Sequence, residues 1–200
     1  MSKIVVAVTE ERLSAAATSW IEVALFNGAL AVDATVGNGY DAQFLAHRVG
    51  PKGKVLGFDV QKAALAGARE LLKFVGSIDR VSLIHDSHSR LANYLPAGAT
   101  IEGAMFNLGY LPRGNRQIIT QPETTVMALR SVLEHLAERG RVTILVYRGH
   151  EGAVPEYQEV RRFLEQLPEE KWLVEEFAST SDSPIAPRLF RIKKRLISED

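Results

Sequence analysis

Asp33-Ala34-Thr35-Val36-Gly37-Asn38-Gly39-Tyr40-Asp41 is the stretch whose reading decides the fold. It follows an apolar run, Ala29-Leu30-Ala31-Val32, and precedes a helical pattern, Ala42-Gln43-Phe44-Leu45-Ala46-His47. Strand, glycine turn and helix start, in that order, make a nucleotide-binding corner. Glycine lets backbone approach a ligand closely, and a helix N-terminus offers unpaired N–H groups.

Two ligand classes compete for such a corner. Gly37-x-Gly39-x-x-Ala42 also fits a dinucleotide fingerprint, with Asp59 at a suitable distance for a ribose contact. A pyrophosphate over the turn would then face Asp33 in a poorly solvated crevice. Like charges at about 4 Å repel by several kcal/mol at an effective dielectric near 20. S-adenosylmethionine (SAM) has no phosphate and carries an ammonium and a sulfonium. An acid at the first strand's end suits that cation, and helix N–H groups suit its carboxylate. The charge argument favours SAM over NAD.

The chain has 200 residues, a formal net charge of zero and no cysteine. That length suits one domain, 1–200, with residues 1–29 as an N-terminal strand and helix extension. Without cysteine there are no disulfides, thiolate metal sites or cysteine nucleophiles. No His/Asp/Glu spacing reads as a metal-ligand set. No apolar stretch approaches the roughly 20 residues needed to span a bilayer. The run Ile4-Val5-Val6-Ala7-Val8 is too short for a signal segment, and acids follow it. A cytoplasmic protein is expected. Zero net charge gives no global attraction to nucleic acid, so an RNA substrate would need a local basic patch. Arg188 to Arg195 and Arg113 with Arg116 are candidates, each equally readable as solvated charge on a strand edge or loop.

Along the chain, strands alternate with helices. Thr9 is placed to cap a first helix that runs to Asn27-Gly28. Strands are expected at Leu30 to Asp33, Lys54 to Asp59, Arg80 to His85, Ile101 to Asn107 and Arg141 to Tyr147. Two more follow at Trp172 to Ala178 and about Arg188 to Lys194. Helices are expected from Asp41 to Arg48, Gln61 to Phe74 and Val154 to Leu167. Another helix has Thr120 as cap, Pro122 in its first turn and Gly140 as its end. This alternation argues a parallel sheet with helices on both faces. Ser179 to Pro187 leaves no room for a crossover helix, so the last strand must pair antiparallel. A seven-stranded, mostly parallel α/β sheet of that kind is the Rossmann-like arrangement of class I SAM-dependent methyltransferases.

In such sheets ligands bind beyond the strands' carboxyl ends. Asp33 ends the first strand. Asp59, with Gln61 beside it, ends the second and can accept ribose hydroxyls, or simply cap its helix. Asp86, Ser87 and His88 follow the third, Asn107 ends the fourth, and Tyr147 to His150 follow the fifth. Asn107-Leu108-Gly109-Tyr110-Leu111-Pro112 resembles the Asn-Pro-Pro-Tyr motif of amino-group methyltransferases, with Leu-Gly in place of Pro-Pro. A nitrogen lone pair must meet the methyl group in line with sulfur, so the amine must be held. The Asn107 side-chain oxygen can accept the amine's hydrogens, and Tyr110 can stack on a base.

Asp33-Ala34-Thr35-x-Gly37-Asn38-Gly39-x-Asp41, Phe58-Asp59-x-Gln61, Ser87-His88, Met105 to Pro112 and Tyr147-x-Gly149-His150 occur in order. Together they resemble the small methyltransferases labelled "putative rRNA methylase", over about Ala31 to Lys194. The resemblance implies SAM as cofactor, held by Asn38, Gly39, Asp41, Asp59, Gln61, Ser87 and His88, with Asp33 and Gly37 shaping the same corner. It implies an RNA partner, tRNA first, since members of known role methylate the aminomethyl group of 5-aminomethyl-uridine at the wobble position. Asn107 and Tyr110 are the expected catalytic positioning residues. Arg148 stands where proline is expected and Ala153 where glycine is, both on the substrate side. The alternatives are methylation of rRNA or a small-molecule amine, a non-catalytic SAM- or RNA-binding module, and an NAD-dependent oxidoreductase. An alkyl amine is protonated at neutral pH and must lose a proton, for which His88, His150 and Tyr110 are candidates. A homodimer would supply a larger tRNA surface.

Overall fold

The structure, a computed structural model, describes residues 2–8, 10–112, 114–115, 117–179, 183 and 185–196. The strands are β1 (Ser2–Val8), β2 (Leu30–Asp33), β3 (Lys54–Asp59), β4 (Val81–His85), β5 (Ile101–Leu108), β6 (Leu136–Val146), β7 (Trp172–Ser179) and β8 (Arg188–Lys194). The helices are α1 (Glu10–Glu22), α2 (Tyr40–Arg48), α3 (Lys62–Phe74), α4 (Pro122–Glu134) and α5 (Ala153–Glu165). The sheet order is β1-β7-β8-β6-β5-β2-β3-β4.

The central strands β2, β3, β5 and β6 are parallel, and β8 lies antiparallel between β6 and β7. The seven strands expected from sequence thus form the sheet, and β1 adds an eighth, parallel to β7 at the edge. Central parallel strands are covered on both faces, and their buried stretches, such as Val142 to Val146 of β6, are correspondingly apolar-rich. One core packs Leu129, Val132, Val160 and Phe163 of α4 and α5 against Val32, Phe106, Ile144 and Phe190. The other packs Leu13, Ile21, Leu45 and Leu72 of α1, α2 and α3 against Ala31, Met105, Leu145 and Leu189. Each fully buried large apolar side chain contributes roughly 1.5–3 kcal/mol.

Several boundaries differ from the sequence reading. Thr9 lies outside the described residues, and α1 ends at Glu22, short of Asn27-Gly28. Helix α4 ends at Glu134, so Gly140 does not stop it but lies within β6. The reason is packing. Leu136 is buried and pairs with Ile101, and a Cβ on Gly140 would stand 2.8 Å from the Ile101 carbonyl oxygen.

The basic tail is engaged in the fold. Arg141 and Arg191 lie over the Trp20 ring at 4.3 and 5.0 Å. Their guanidinium groups donate to the Trp20 and Ala16 carbonyls at 3.0 and 2.9 Å, fastening α1 to the sheet. Lys194 donates to the Leu136 carbonyl, and Arg195 to that of Glu169. These contacts favour the structural reading of the tail over an RNA patch. Arg113 and Arg116 lie outside the described residues.

Candidate functional site

The corner between β2 and α2 is built from backbone that only glycine adopts easily. Gly37 and Gly39 have φ of 50° and 84°. A Cβ on Gly39 would stand 2.8 Å from the Ala68 Cβ, so this glycine also lets α3 close against the turn. Asn38 lies exposed at the tip.

Carboxylates crowd behind the turn. Asp33 is fully buried, and its Oδ1 accepts the Thr35 N–H at 3.1 Å. Its Oδ2 has no hydrogen-bond partner among the described residues. Burial, and then the charge of Asp41, push the Asp33 carboxyl well above its ordinary range. Asp41 is raised by burial too, against the hydrogen bond from Asn107. Asp59 accepts the Gly37 N–H at 2.9 Å on one oxygen and the Gln61 N–H at 2.8 Å on the other. It therefore laces the end of β3 to the glycine turn, and burial again raises its carboxyl. Each Asp59 oxygen keeps a further lone pair, which a ribose hydroxyl could use. Desolvated acids grouped in this way call for a cation. An ammonium fits the unpartnered Asp33 oxygen, whereas a pyrophosphate would add like charge.

From the neighbouring strand, Asn107 donates its side-chain amide to Asp41, while its backbone N–H donates to the Thr35 hydroxyl at 2.8 Å. Past β4, the His88 Nδ1 donates to the Ala34 carbonyl at 3.1 Å, and the ring meets Phe106 edge-on. Burial draws the His88 imidazole down to about 4, leaving a neutral ring with an unpartnered Nε2. The Ser87 hydroxyl pairs with that of Ser89 at 2.9 Å at the start of a 3-10 turn. Hydrogen bonds tie Gly37 and Gln61 to Asp59 and join Asn107 to Asp41, Asp41 acts on Asp33 through its charge, and His88 reaches Ala34, so these residues gather past the ends of β2, β3 and β5. Tyr110 follows on the loop after β5, bridged to Ile119 and edge-on to His150 at 5.5 Å.

Sequence reasoning missed Glu156. Its side chain is 1 % exposed and receives hydroxyl hydrogen bonds from Thr120 at 2.6 Å and Thr125 at 2.7 Å. Burial raises its carboxyl, while the two hydroxyls and His150 oppose the rise. Thr120 also accepts the Gly109 N–H at 2.9 Å and returns its own N–H to the Gly109 carbonyl at 3.0 Å. It does not cap α4, whose cap position is Gln121: its oxygen accepts from the Gly109 N–H and its hydroxyl hydrogen goes to the buried carboxylate. The signal was legible. Glu156 falls on the helical stripe of Ala153, Val160, Phe163 and Leu164, where only apolar residues are expected. On the same side, the Arg148 guanidinium lies over the Tyr157 ring at 4.6 Å, and Tyr157 donates to the buried Glu176 at 2.7 Å.

This geometry can be set beside known proteins. A chloroplastic protein of Arabidopsis thaliana named "tRNA (mnm(5)s(2)U34)-methyltransferase" is 36% identical over 184 residues, 88% of this chain. The match covers 66% of that relative, so the chain spans just under two thirds of its length. A Clostridium thermocellum protein described as a "putative rRNA-methylase" is 36% identical with a TM-score of 0.89, covering 94% of this chain and all of the other. A "putative methyltransferase" of Streptococcus mutans, solved with S-adenosylhomocysteine, is 35% identical with a TM-score of 0.83 over 95% of this chain and all of its own. Residues 55–193 match the family model described as "Putative rRNA methylase". With that match over most of its length, and a crevice whose acids suit SAM, the chain belongs to this family of SAM-dependent methyltransferases.

Proposed function

We propose that the protein transfers a methyl group from SAM to the aminomethyl nitrogen of 5-aminomethyl-uridine at the tRNA wobble position, in the cytoplasm. The observation that carries this reading is the Asn107–Asp41 hydrogen bond. It fixes which end of the Asn107 amide faces away from the acids. With Nδ2 engaged, Oδ1 is the end left to accept hydrogens from an amine, and a carbonyl-type oxygen suits an N–H donor. The name of the Arabidopsis relative supports the same substrate class.

In this reading Asp33 and Asp41 meet the methionine ammonium, and the turn at Gly37, Asn38 and Gly39 gives backbone N–H groups to its carboxylate. Asp59 with Gln61 takes the ribose, and Ser87 and His88 border the adenine. When bound, SAM supplies a methyl group activated by its sulfonium. Asn107 orients the amine, and Tyr110 packs on the uracil ring. Asn107 and Tyr110 restrict the approach angle, which is where positioning lowers the barrier.

Methyl transfer from labelled SAM to tRNA carrying 5-aminomethyl-uridine tests this, with unmodified tRNA and ribosomal RNA as parallel acceptors. Label on the modified tRNA alone is the expected result. Label on ribosomal RNA, or on no acceptor despite SAM binding, would overturn the substrate while leaving the cofactor.

A further inference from the structure

Beyond the acids of the glycine corner, the segment after β6 and the first turn of α5 place a histidine, a carboxylate and a phenol ring beside Gly109. His150 Nδ1 lies 2.8 Å from the Glu151 carbonyl oxygen. A carbonyl only accepts, so Nδ1 carries a proton, and in the neutral ring Nε2 presents a lone pair. That Nε2 is buried and has no hydrogen-bond partner among the described residues. It lies 3.4 Å from the point where a Cβ would stand on Gly109, so the glycine brings the loop that follows Asn107 close against this nitrogen.

The groups around this imidazole can be named. Tyr110 meets the ring edge-on, Tyr147 borders the same Gly109 space, and Arg148 is turned onto Tyr157. Glu151 contributes its carbonyl, and Glu156 from α5 acts on His150 through its charge. The same Glu156 holds the Gly109 backbone through Thr120. One buried carboxylate thus steadies both the loop that follows Asn107 and the histidine facing that loop. His88 offers a similar lone pair, but burial against Phe106 leaves it a poor base.

We infer that His150 accepts the proton of the substrate's ammonium group and that Glu156 is the positioning residue supporting the imidazolium. The inference rests on the alkyl-amine substrate proposed above. One proton passes from the R–CH2–NH3+ group to Nε2. The freed lone pair forms the N–CH3 bond as the C–S bond breaks, and that bond's electron pair stays on sulfur, cancelling its positive charge. The product leaves as a secondary ammonium, and the imidazolium returns its proton to water.

The experiment is kcat as a function of pH on tRNA carrying 5-aminomethyl-uridine, at saturating SAM, for the wild type, His150→Gln and Glu156→Gln. SAM affinity is measured for each by calorimetry. His150→Gln should keep SAM affinity and lose about 100-fold in kcat at pH 7. The loss should shrink as pH rises, because the amine then sheds its own proton. Glu156→Gln keeps the shape and can still accept one threonine hydroxyl on its amide oxygen, its NH2 donating to the other, while removing the charge. It should move the acid limb of kcat to lower pH, with KM little changed. A loss equal at every pH, or an unmoved acid limb, overturns the pair while the active wild type preserves the substrate reading. A wild type silent on this tRNA overturns both.

Discussion

Asn107, near the end of β5, donates its amide to Asp41 in the first turn of α2, so one hydrogen bond ties the strand carrying the proposed amine acceptor to the helix of the proposed cofactor corner. Removing that amide should separate the two functions. Asn107→Ala leaves Asp33, Asp59 and the glycine turn in place, so SAM affinity should stay within about three-fold. The amine loses its acceptor, and turnover should fall by ten-fold or more, within the range that misplaced reactants produce. Binding calorimetry with single-turnover methylation decides the matter. Equal loss of affinity and turnover would remove Asn107 from a positioning role.

Asp33→Asn should act in the opposite way on the free and the SAM-loaded protein. Burial and Asp41 raise the Asp33 carboxyl, so ionising it costs the folded state stability that the unfolded chain does not lose. The amide removes that cost, and the free protein should unfold at a higher temperature at pH 7. An acid with a raised folded pKa favours folding at low pH and loses that contribution as pH rises through the folded value. The variant's advantage should therefore vanish as acidification protonates the wild-type Asp33. SAM affinity should fall ten-fold or more, since its ammonium loses a buried counter-charge. Unchanged affinity would move the ammonium elsewhere.

The parallel sheet was legible because central strands are rich in apolar residues and a polar residue stands at or beside the ends of β2, β3 and β5. Asp33, Asp59 and Asn107 could be found that way. The antiparallel last strand followed from the short Ser179 to Pro187 link. The helix boundary at Glu134 was not legible. Leu136 continues the helical spacing of Leu129 and Leu133, and only its pairing with Ile101 places it in a strand. Thr120 looked like a helix cap because Pro122 and Glu123 follow it. Its hydroxyl turns instead to Glu156, a partner distant in sequence that local pattern cannot reveal. His88 read as a strand-end ligand, and nothing local indicated that it would be sealed under Phe106 and Ala34.

That burial gives His88 a pH signature. Its imidazole titrates at about 4 when folded, against about 6.5 for a free histidine. Stability is full above the unfolded value and is lost as pH falls from about 6.5 toward 4, because only the unfolded chain takes the proton. The difference amounts to about 3 kcal/mol at pH 4. His88→Gln should therefore lose less stability than the wild type between pH 7 and pH 4, by about that amount in denaturant unfolding. Parallel pH curves for the two proteins would place His88 in solvent.

Gly37 and Gly39 should respond differently to alanine. Both have positive φ, which costs about 1 kcal/mol for a residue with a Cβ. At Gly37 the nearest atom to that Cβ is Leu111 Cδ1 at 3.6 Å, an ordinary contact, so the backbone cost stands alone. At Gly39 the Cβ would meet the Ala68 Cβ and Cα at 2.8 and 2.9 Å, forcing α3 outward. Overpacking adds about 1–3 kcal/mol. Gly39→Ala should be the less stable of the two in urea, and equal midpoints would contradict the close packing of α3.

Thr120 offers the sharpest separation of shape from hydrogen bonding. Its hydroxyl donates to Glu156 and accepts from the Gly109 N–H, so Thr120→Val keeps the volume but strips a buried carboxylate and a backbone amide of their partner. Each orphaned group costs about 1–3 kcal/mol. Thr120→Ser keeps the hydroxyl and loses a methyl, worth about 0.8 kcal/mol. The valine variant should thus be the less stable, although it is the closer in shape. Freed from Thr120, Gly109 and the adjoining Tyr110 should place the target base less well, so turnover should fall while SAM affinity is kept. Valine and serine variants of equal stability and equal turnover would show that the Glu156–Thr120–Gly109 chain carries no weight in either.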